Sequence, residues 1–235
     1  MRDKNHKREK IYIYGRHALM EALGGAPQAI RKVFLARDNR DKELRDLLAK
    51  SKIPTAELSQ GEGREIVGKD AVHQGVIALM DPSALMISFD DFLATLPAAP
   101  SAQIAVAICA EVQDPGNVGA IIRSAAAFGL SAVLLPEHNQ APVTGAVVKS
   151  SAGMAFRIPL VAIGNVNHAL EVLKKKGFWT YGLDMAGAPL ASESFEKSAV
   201  FVIGNEGGGI RQKTLAHCDI MLAIPMHPRT ESLNA

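Results

Sequence analysis

Residues 104–123, which read IAVAICAEVQDPGNVGAIIR, decide the fold of this chain. The first part, Ile104–Ala110, is a continuous apolar run, which is typical of a strand buried on both faces of a sheet. Asp114-Pro115-Gly116 then predicts a tight turn, and residues 118–128 predict a helix that Gly129 closes. A buried strand that turns directly into a helix is the repeating unit of α/β proteins.

The same alternation continues through the C-terminal half of the sequence. Repeated strand and helix units of this kind predict a mainly parallel sheet with helices on both faces. Ligands of such sheets bind in loops beyond the carboxyl ends of the strands. Strands are predicted at 132–135, 155–160, 178–183, 199–203 and 220–224, and helices at 144–151, at 166–176 after the capping residue Asn165, and at 210–217.

The N-terminal part carries a separate, shorter pattern. Strand signals at 11–14, 32–36, 55–58 and 75–80 alternate with helix signals at 17–23 and 41–50. The following segment contains Pro82, Pro97 and Pro100, which favours a linker with one short helix near 89–96. We therefore expect a basic tail at 1–10, a small α/β domain at 11–81, a linker at 82–103 and a larger α/β domain at 104–235.

Composition limits the function classes. Hydrophobic residues make up 48% of the chain, enough for a buried core, whereas aromatic residues make up only 5%. So few aromatic rings argue against a protein that holds single strands mainly by base stacking. Cys109 and Cys218 lie far apart and form no CxxC pattern, which argues against a disulfide framework or a zinc site. We expect a cytoplasmic protein without a membrane segment or a metal.

The positive charge is concentrated at the start of the chain. Residues 1–10 hold five basic and two acidic side chains, a net charge of +3, whereas the whole chain carries only +2. A short basic arm of this kind can follow nucleic-acid phosphates. The alternative is a solvated terminus, because basic termini are common.

The first candidate site is the loop and helix start at 111–123, here called the first loop. Asn117 is well placed to cap the helix, and Gly119 permits another group to approach its first turn closely. Arg123 follows on the same helix, within an otherwise apolar stretch. The alternative is an ordinary strand-to-helix junction with a surface arginine.

The second candidate is the glycine loop, Gly204–Gly209, which reads GNEGGG after a buried strand. It lacks the GxGxxG and GK[ST] spacings, so a nucleotide-dependent oxidoreductase or a P-loop protein is disfavoured. Glu206 would repel a phosphate and suits a cationic or hydroxyl-rich ligand better. The alternative is a flexible turn.

The third candidate is the terminal segment, residues 224–235, which reads IPMHPRTESLNA. Pro225 and Pro228 stiffen it, and Ser232 and Asn234 are small hydrogen-bonding residues. Taken alone, this segment does not differ from an ordinary polar terminus.

Together the three segments resemble the motifs of the SpoU family of RNA ribose methyltransferases, within the knotted SPOUT class. Their order fits the family, and each follows a predicted strand. Residues 149–153 (KSSAG) also resemble a short helix end of the family. The matching residues are Asp114-Pro115-x-Asn117-x-Gly119 with Arg123, then Gly204-Asn205-Glu206-Gly207-x-Gly209, then Ile224-Pro225-Met226 followed by Ser232-Leu233-Asn234.

The N-terminal part adds to the resemblance. Residues 14–19 (YGRHAL) and 72–76 (VHQGV) are similar to the RNA-recognition domain of the subgroup that methylates a guanosine ribose in large-subunit ribosomal RNA. The alternative for His73-Gln74 is a turn before a strand. The resemblance covers nearly the whole chain and leaves transfer RNA as the second substrate class.

The resemblance implies S-adenosylmethionine as the methyl donor, RNA as the partner, a trefoil knot and a homodimer. It assigns catalysis to Arg123, Asn117, Glu206, Ser232 and Asn234, and cofactor binding to Gly204, Ile224, Leu233 and Met226. A guanidinium stays protonated, so a grip on phosphate by the arginine is easier than a role as general base.

Two further expectations complete the interpretation. Members of the family normally continue into a C-terminal helix, so we expect that helix to be missing from a sequence that ends at Ala235. The competing function is a non-catalytic RNA-binding or ribosome-assembly factor on the same fold, which loss of any of the assigned catalytic side chains would favour.

Overall fold

The computed structural model describes residues 10–59, 61–97, 103–227 and 229. The chain divides into two units, Met1–Leu85 and Met86–Ala235. In the described part of the chain, no helix has the length and apolar character that crossing a bilayer requires.

The first unit is built on four strands among the described residues: β1 (Ile11–Tyr14), β2 (Ile30–Ala36), β3 (Thr55–Leu58) and β4 (Val76–Met80). Their order is β1-β4-β2-β3; β4 is antiparallel to both neighbours, and β3 is parallel to β2. The helices are α1 (Arg16–Gly25), α2 (Lys42–Ser51) and α3 (Glu62–Val67). The small α/β arrangement that the sequence predicts is therefore present, including the strand at 55–58.

The second unit contains a parallel sheet. Its described strands are β5 (Met86–Ser88), β6 (Ala105–Cys109), β7 (Ala132–Pro136), β8 (Leu160–Ile163), β9 (Trp179–Pro189), β10 (Ala199–Ile203) and β11 (Ile220–Ala223). Their order is β11-β9-β10-β6-β7-β8-β5, and every described pair is parallel. Its helices are α4 (Phe89–Thr95), α5 (Pro115–Ala127), α6 (Gly145–Ser150), α7 (Val166–Lys175) and α8 (Gln212–Leu215). The predicted mainly parallel α/β fold is confirmed.

One predicted strand is displaced. Residues 155–160 were expected to form a strand, but a 3-10 turn occupies Met154–Phe156 and β8 begins only at Leu160. Gly153 has φ 81°, and the Ser151 hydroxyl accepts the N–H of Ala155 at 3.3 Å, so the chain stays wound here. The apolar side chains are buried in a turn, which an apolar run alone does not distinguish from a strand.

The expected linker at 82–103 is partly built into the second unit. Strand β5 pairs with β8, and Ser88 caps α4 by accepting the N–H of Asp91 at 3.1 Å. Phe92 of α4 is buried in the core of the larger sheet. The short helix expected near 89–96 is present as α4, whereas β5 was not predicted, because pairing with a distant strand leaves no local signal.

A long strand reaches the region where the knot is expected. Strand β9 continues past the predicted end at 183, because its pairing with β11 shifts from Met221 opposite Gly182 to Leu222 opposite Ala188. Gly187 lies so close to β11 that a Cβ there would be 2.6 Å from the Leu222 backbone. The trefoil knot itself stays a prediction, because residues 230–235 lie outside the described ones.

A polar cluster ties the amino ends of β9 and β11 together. The buried Thr180 hydroxyl donates to Asp219 Oδ2 at 2.7 Å, and Lys174 Nζ lies 2.7 Å from Asp219 Oδ1. Burial alone would raise the pKa of Asp219, but the bonds from Lys174 and Thr180 outweigh it and leave the pKa below its usual value. The carboxylate therefore stabilises the fold above that pKa and stops doing so as the pH falls through it.

We expect Thr180→Val to lower the free energy of unfolding by about 1–3 kcal/mol at pH 7, because it leaves a hydrogen-bonding group of Asp219 without its partner. Urea denaturation at pH 7 and over a series of acidic pH values measures it, and the deficit should shrink as the pH falls through the lowered pKa of Asp219. Thr95→Val, at an exposed threonine of α4, is the control and should change stability by less than about 0.5 kcal/mol. Equal losses in the two variants would contradict the role of the cluster.

Candidate active site

The first loop and the glycine loop lie at one edge of the larger sheet. Strands β6 and β10 are parallel neighbours, and Cys109 at the end of β6 is opposite Ile203 at the end of β10. The segments that follow them, 111–117 and 204–209, therefore begin side by side. This is the edge where ligands of parallel sheets bind.

The first turn of α5 differs from the prediction in one respect. Asp114, not Asn117, caps the helix, with Asp114 Oδ1 accepting the N–H of Gly116 at 2.7 Å. Pro115 takes the first helical position, where a missing N–H costs nothing. The helix thus begins three residues earlier than a cap at Asn117 requires, and the side-chain amide of Asn117 is free to bond another loop.

That amide joins the two loops. Asn117 is buried, and its Nδ2 donates to Glu206 Oε1 at 2.8 Å across 89 residues of sequence. The backbone N–H groups of Gln113 and Asp114 also face this carboxylate, each at 3.4 Å. The predicted pair of Asn117 and Glu206 is therefore in direct contact, and donors of the first loop converge on one carboxylate.

These donors keep the carboxylate ionised. Burial against the loop raises the pKa of Glu206, but the hydrogen bonds from Asn117 and from the backbone N–H groups together lower it further. The net pKa lies below its usual value, so Glu206 is a carboxylate at neutral pH. Burial, with a smaller contribution from Glu206, raises the pKa of the nearby Cys109 to about 12, so this thiol is neutral and unsuited to act as a nucleophile.

Asn205 organises the glycine loop, a role that the sequence did not reveal. Its Oδ1 accepts the N–H groups of Gly207 at 2.9 Å and Gly208 at 3.2 Å, and its Nδ2 donates to the Glu111 carbonyl at 2.8 Å. Asn205 and Gly209 also exchange two backbone hydrogen bonds, which close the loop. The signal was the Gly-Asn-Glu pattern, but only the folded loop shows that the asparagine bonds its own backbone.

Gly204 is needed for the shape of the glycine loop, whatever its assigned role in cofactor binding. A Cβ here would lie 2.4 Å from the Gly209 carbonyl carbon and 2.5 Å from the Ile210 nitrogen. The returning chain of the loop already fills the space. Any side chain at 204 would therefore open the loop that presents Glu206.

Glu111 connects both ends of the glycine loop and was not foreseen either. Its φ is +68°, a conformation that a glutamate rarely adopts. Its carbonyl accepts Asn205 at the start of the loop, and its carboxylate lies 2.7 Å from Arg211 NH2 beyond the loop's end. Strain of this kind persists where surrounding contacts hold it, and here those contacts belong to the candidate site.

Arg123 differs from the acidic side of the site. The Arg123 side chain is exposed on α5, whereas Ile121, Ile122 and Ala125 of the same helix are buried. Within the described residues its guanidinium makes no hydrogen bond or ion pair. The predicted arginine is therefore available for an anionic ligand.

The terminal segment is only partly described. Ile224, directly after β11, is 48% exposed, and Met226 is half-buried. An exposed large apolar side chain directly after a strand is compatible with an apolar ligand surface. Ser232, Leu233 and Asn234 lie outside the described residues, so their assigned roles stay predictions.

The N-terminal motifs form two local structures in the first unit. Arg16 pairs with Asp41 and Glu43, which joins the start of α1 to the start of α2. His73 begins a tight turn with Gln74 at φ 50° and Gly75 at φ 70°, and its carbonyl accepts the N–H of Val76. These residues thus have structural partners within their own unit. No cluster of three or more His, Cys, Asp or Glu suited to a metal occurs in the described ranges.

The larger unit is an α/β protein whose candidate site lies where two loops meet at the carboxyl edge of a parallel sheet. The chain belongs to the SpoU rRNA Methylase family, which matches residues 105–235. A second family, RNA 2'-O ribose methyltransferase substrate binding, matches residues 12–86. The predicted family is confirmed.

Individual relatives agree with the family match. The chain is 32% identical to the 23S rRNA (guanosine-2'-O-)-methyltransferase RlmB of Neisseria meningitidis, over 94% of this chain and 88% of the relative. The protein of the same name from Xanthomonas campestris is 34% identical, over 97% and 92%. The solved SpoU methyltransferase AviRb from Streptomyces viridochromogenes, in complex with AdoMet, matches with a TM-score of 0.76 at 22% identity, covering 96% of this chain and 84% of AviRb. The last comparison supports the fold alone.

Gly119 joins α5 to α6, because a Cβ there would lie 1.9 Å from Ser150 Oγ and 2.8 Å from the Ser151 nitrogen. We expect Gly119→Ala to lower the free energy of unfolding by about 2–3 kcal/mol through overpacking, measured by thermal or urea denaturation. Gly164→Ala, where a Cβ meets nothing within 4 Å, is the matched control and should stay within about 0.5 kcal/mol of the parent. A harmless Gly119→Ala would mean that α5 and α6 can separate freely.

Proposed function

We propose that this chain transfers a methyl group from S-adenosylmethionine to a ribose 2′-hydroxyl of RNA, with a guanosine of large-subunit ribosomal RNA as the target. The observation that carries this is the ionised Glu206, held by Asn117 at the strand edge, on the same unit as an exposed Arg123. Relatives named 23S rRNA guanosine methyltransferases at 32% and 34% identity support the substrate.

The methyl donor needs little activation by the protein, whereas the ribose hydroxyl that accepts the methyl group needs more. The sulfonium of S-adenosylmethionine supplies a methyl group on a good leaving group. The ribose hydroxyl is a poor nucleophile at neutral pH, so the protein must orient it and accept its proton. Glu206 is the carboxylate that the described site offers for this task, either directly or by orienting the hydroxyl.

Arg123 serves the RNA side of the reaction. A guanidinium does not act as a simple base, because it stays protonated in proteins. Its planar fork instead binds phosphate with two parallel hydrogen bonds, and the exposed position on α5 leaves both available. Fixing the target phosphate in this way also fixes the attached ribose.

The cofactor site is proposed on the glycine loop and the terminal segment. The cofactor lies against the backbone of Gly204, Ile224 and Leu233, and Met226 contributes an apolar wall. A carboxylate at 206 is compatible with a cationic ligand, because opposite charges attract. Ser232 and Asn234 are proposed near the reacting hydroxyl. No step requires a metal.

The remaining assignments are also proposals. The chain acts as a cytoplasmic homodimer with the site near the subunit interface. Its small N-terminal domain at 11–81 binds the RNA substrate, and the basic tail at 1–10 adds phosphate contacts. The domain at 104–235 contains the active site. Transfer RNA is the alternative substrate. A non-catalytic RNA-binding role is disfavoured because Arg123, Asn117 and Glu206 are all present.

The deciding experiment supplies methyl-labelled S-adenosylmethionine with unmodified ribosomal or transfer RNA transcripts and maps the labelled nucleotide. We expect label at one ribose 2′-position of large-subunit RNA, and a loss of roughly 10- to 100-fold in kcat/KM for Arg123→Lys, which cannot form the bidentate contact. Lys175→Ala, which removes an exposed cation from α7, is the control for general loss of charge and should have a small effect. Label in transfer RNA would change the substrate, and no label in either RNA would leave the binding role.

The pH dependence tests Glu206 separately. The donors that lower its pKa keep it ionised into mildly acidic solution, so activity should fall only when the pH drops through that lowered pKa. Asn117→Ala removes one donor, so the pKa should rise and the acid limb of the kcat profile should move to higher pH by about one unit. Asn165→Ala removes a helix cap away from the site and is the control. An acid limb that Asn117→Ala does not move would contradict the role of Glu206.

A further inference from the structure

Gln140 lies in the connection between β7 and α6, residues 137–144, which the motifs of the family do not include. Its Oε1 accepts the N–H of Val112 at 2.9 Å, across 28 residues of sequence. Strand β7 is the neighbour of β6 on the side away from β10. The glutamine therefore reaches the first loop from the opposite side to the glycine loop.

The connection bonds both backbone polar groups of Val112. While Gln140 accepts its N–H, the N–H of Ala141 donates to its carbonyl at 3.0 Å. Val112 is fully buried, so water cannot replace a lost partner for its N–H. A buried donor without a partner is costly, which makes this bond a strong constraint on the backbone at 112.

The other end of the same amide has no such partner. Gln140 Nε2 is buried and makes no hydrogen bond with the described residues. Burying an unpaired donor is unfavourable, so the amide is held in place by its oxygen and not by its nitrogen. The contact that matters to the fold of the first loop is therefore the one to Val112.

The next two residues after Val112 present their N–H groups to Glu206, at 3.4 Å each. We propose that Gln140 is a positioning residue for the reaction: it fixes Val112 so that the N–H groups of Gln113 and Asp114 face the Glu206 carboxylate. This inference rests on the proposed role of Glu206. The connection at 137–144 is then a third segment, besides the first loop and the glycine loop, that determines which donors face the Glu206 carboxylate.

The neutral Cys109 thiol interacts with Glu206, the Asp114 carboxylate caps α5, and Glu111 of the first loop pairs with Arg211. Gln140→Met alters none of their charges. It keeps the approximate size of the side chain and removes the acceptor for Val112 together with the unpaired Nε2 donor, so the only hydrogen bond lost is the one to Val112. Any change at Glu206 then arises from the backbone of the first loop.

The matched control is Gln103→Met. Gln103 also bonds a backbone group with its side chain, donating from Nε2 to the Phe195 carbonyl at 2.8 Å. It precedes β6, at the end of the strand away from the site. The two variants make the same chemical change in the same unit, and only Gln140 contacts the first loop.

The test has two readouts, amide hydrogen exchange at residues 112–114 and the pH profile of kcat. We expect Gln140→Met to speed exchange at these residues by roughly tenfold and to move the acid limb upward by about half to one pH unit. Gln103→Met should change neither. Exchange in β8, in the core of the same unit, should stay at the parent rate in Gln140→Met, which separates a change at the first loop from a general loss of stability.

The outcomes separate this inference from the proposed function. If Glu206→Gln is fully active and the parent has no acid limb, the role of Glu206 fails, but exchange at 112–114 still tests the positioning by Gln140. If Glu206→Gln is inactive while Gln140→Met keeps both the parent exchange rates and the parent acid limb, the inference on Gln140 is overturned. Faster exchange at 112–114 that is matched by equally faster exchange in β8 would overturn it as well.

Discussion

The hydrogen bond from Asn117 to Glu206 is the constraint on which the rest of the site depends. It joins the segments after β6 and β10, and it exists only because these neighbouring parallel strands end at the same edge. The asparagine is buried in the first turn of a helix, so its amide has few positions available. A fixed donor of this kind holds a carboxylate ionised without reorganisation when a substrate arrives.

Close backbone approaches hold that bond in place. Gly204 brings the glycine loop back onto its own strand, and Gly119 brings α6 against the first turn of α5. Neither glycine has a positive φ, so sterics rather than backbone conformation demands it. The two contacts fix the loop that carries Glu206 and the helix that carries Asn117. Glu111 differs from both glycines, because it has a positive φ that would suit glycine but carries a side chain that pairs with Arg211.

Sequence patterns predicted the elements better than the contacts between them. The parallel sheet followed from repeated apolar runs, and Asn117, Arg123 and Glu206 followed from motifs after strands. The pairing of β5 with β8 and the wound segment at 154–156 did not, because periodicity carries no information about distant partners. Gln140 gave no signal, since a lone polar residue in a loop shows nothing of the buried N–H that it satisfies. The cap at Asp114 was missed because both Asp and Asn favour that position.

The proposed site residues thus include a fixed anion, Glu206, and an exposed cation, Arg123. Donors from the first loop hold Glu206, whereas the Arg123 guanidinium has no partner in the described structure. A group that handles a proton benefits from a fixed position, because the pKa depends on its exact donors. A group that grips phosphate must adapt to a flexible RNA backbone, and an arginine on an exposed helix face does so. These two requirements explain why backbone N–H groups and a buried amide hold Glu206, while the proposed phosphate contact depends on the long side chain of Arg123.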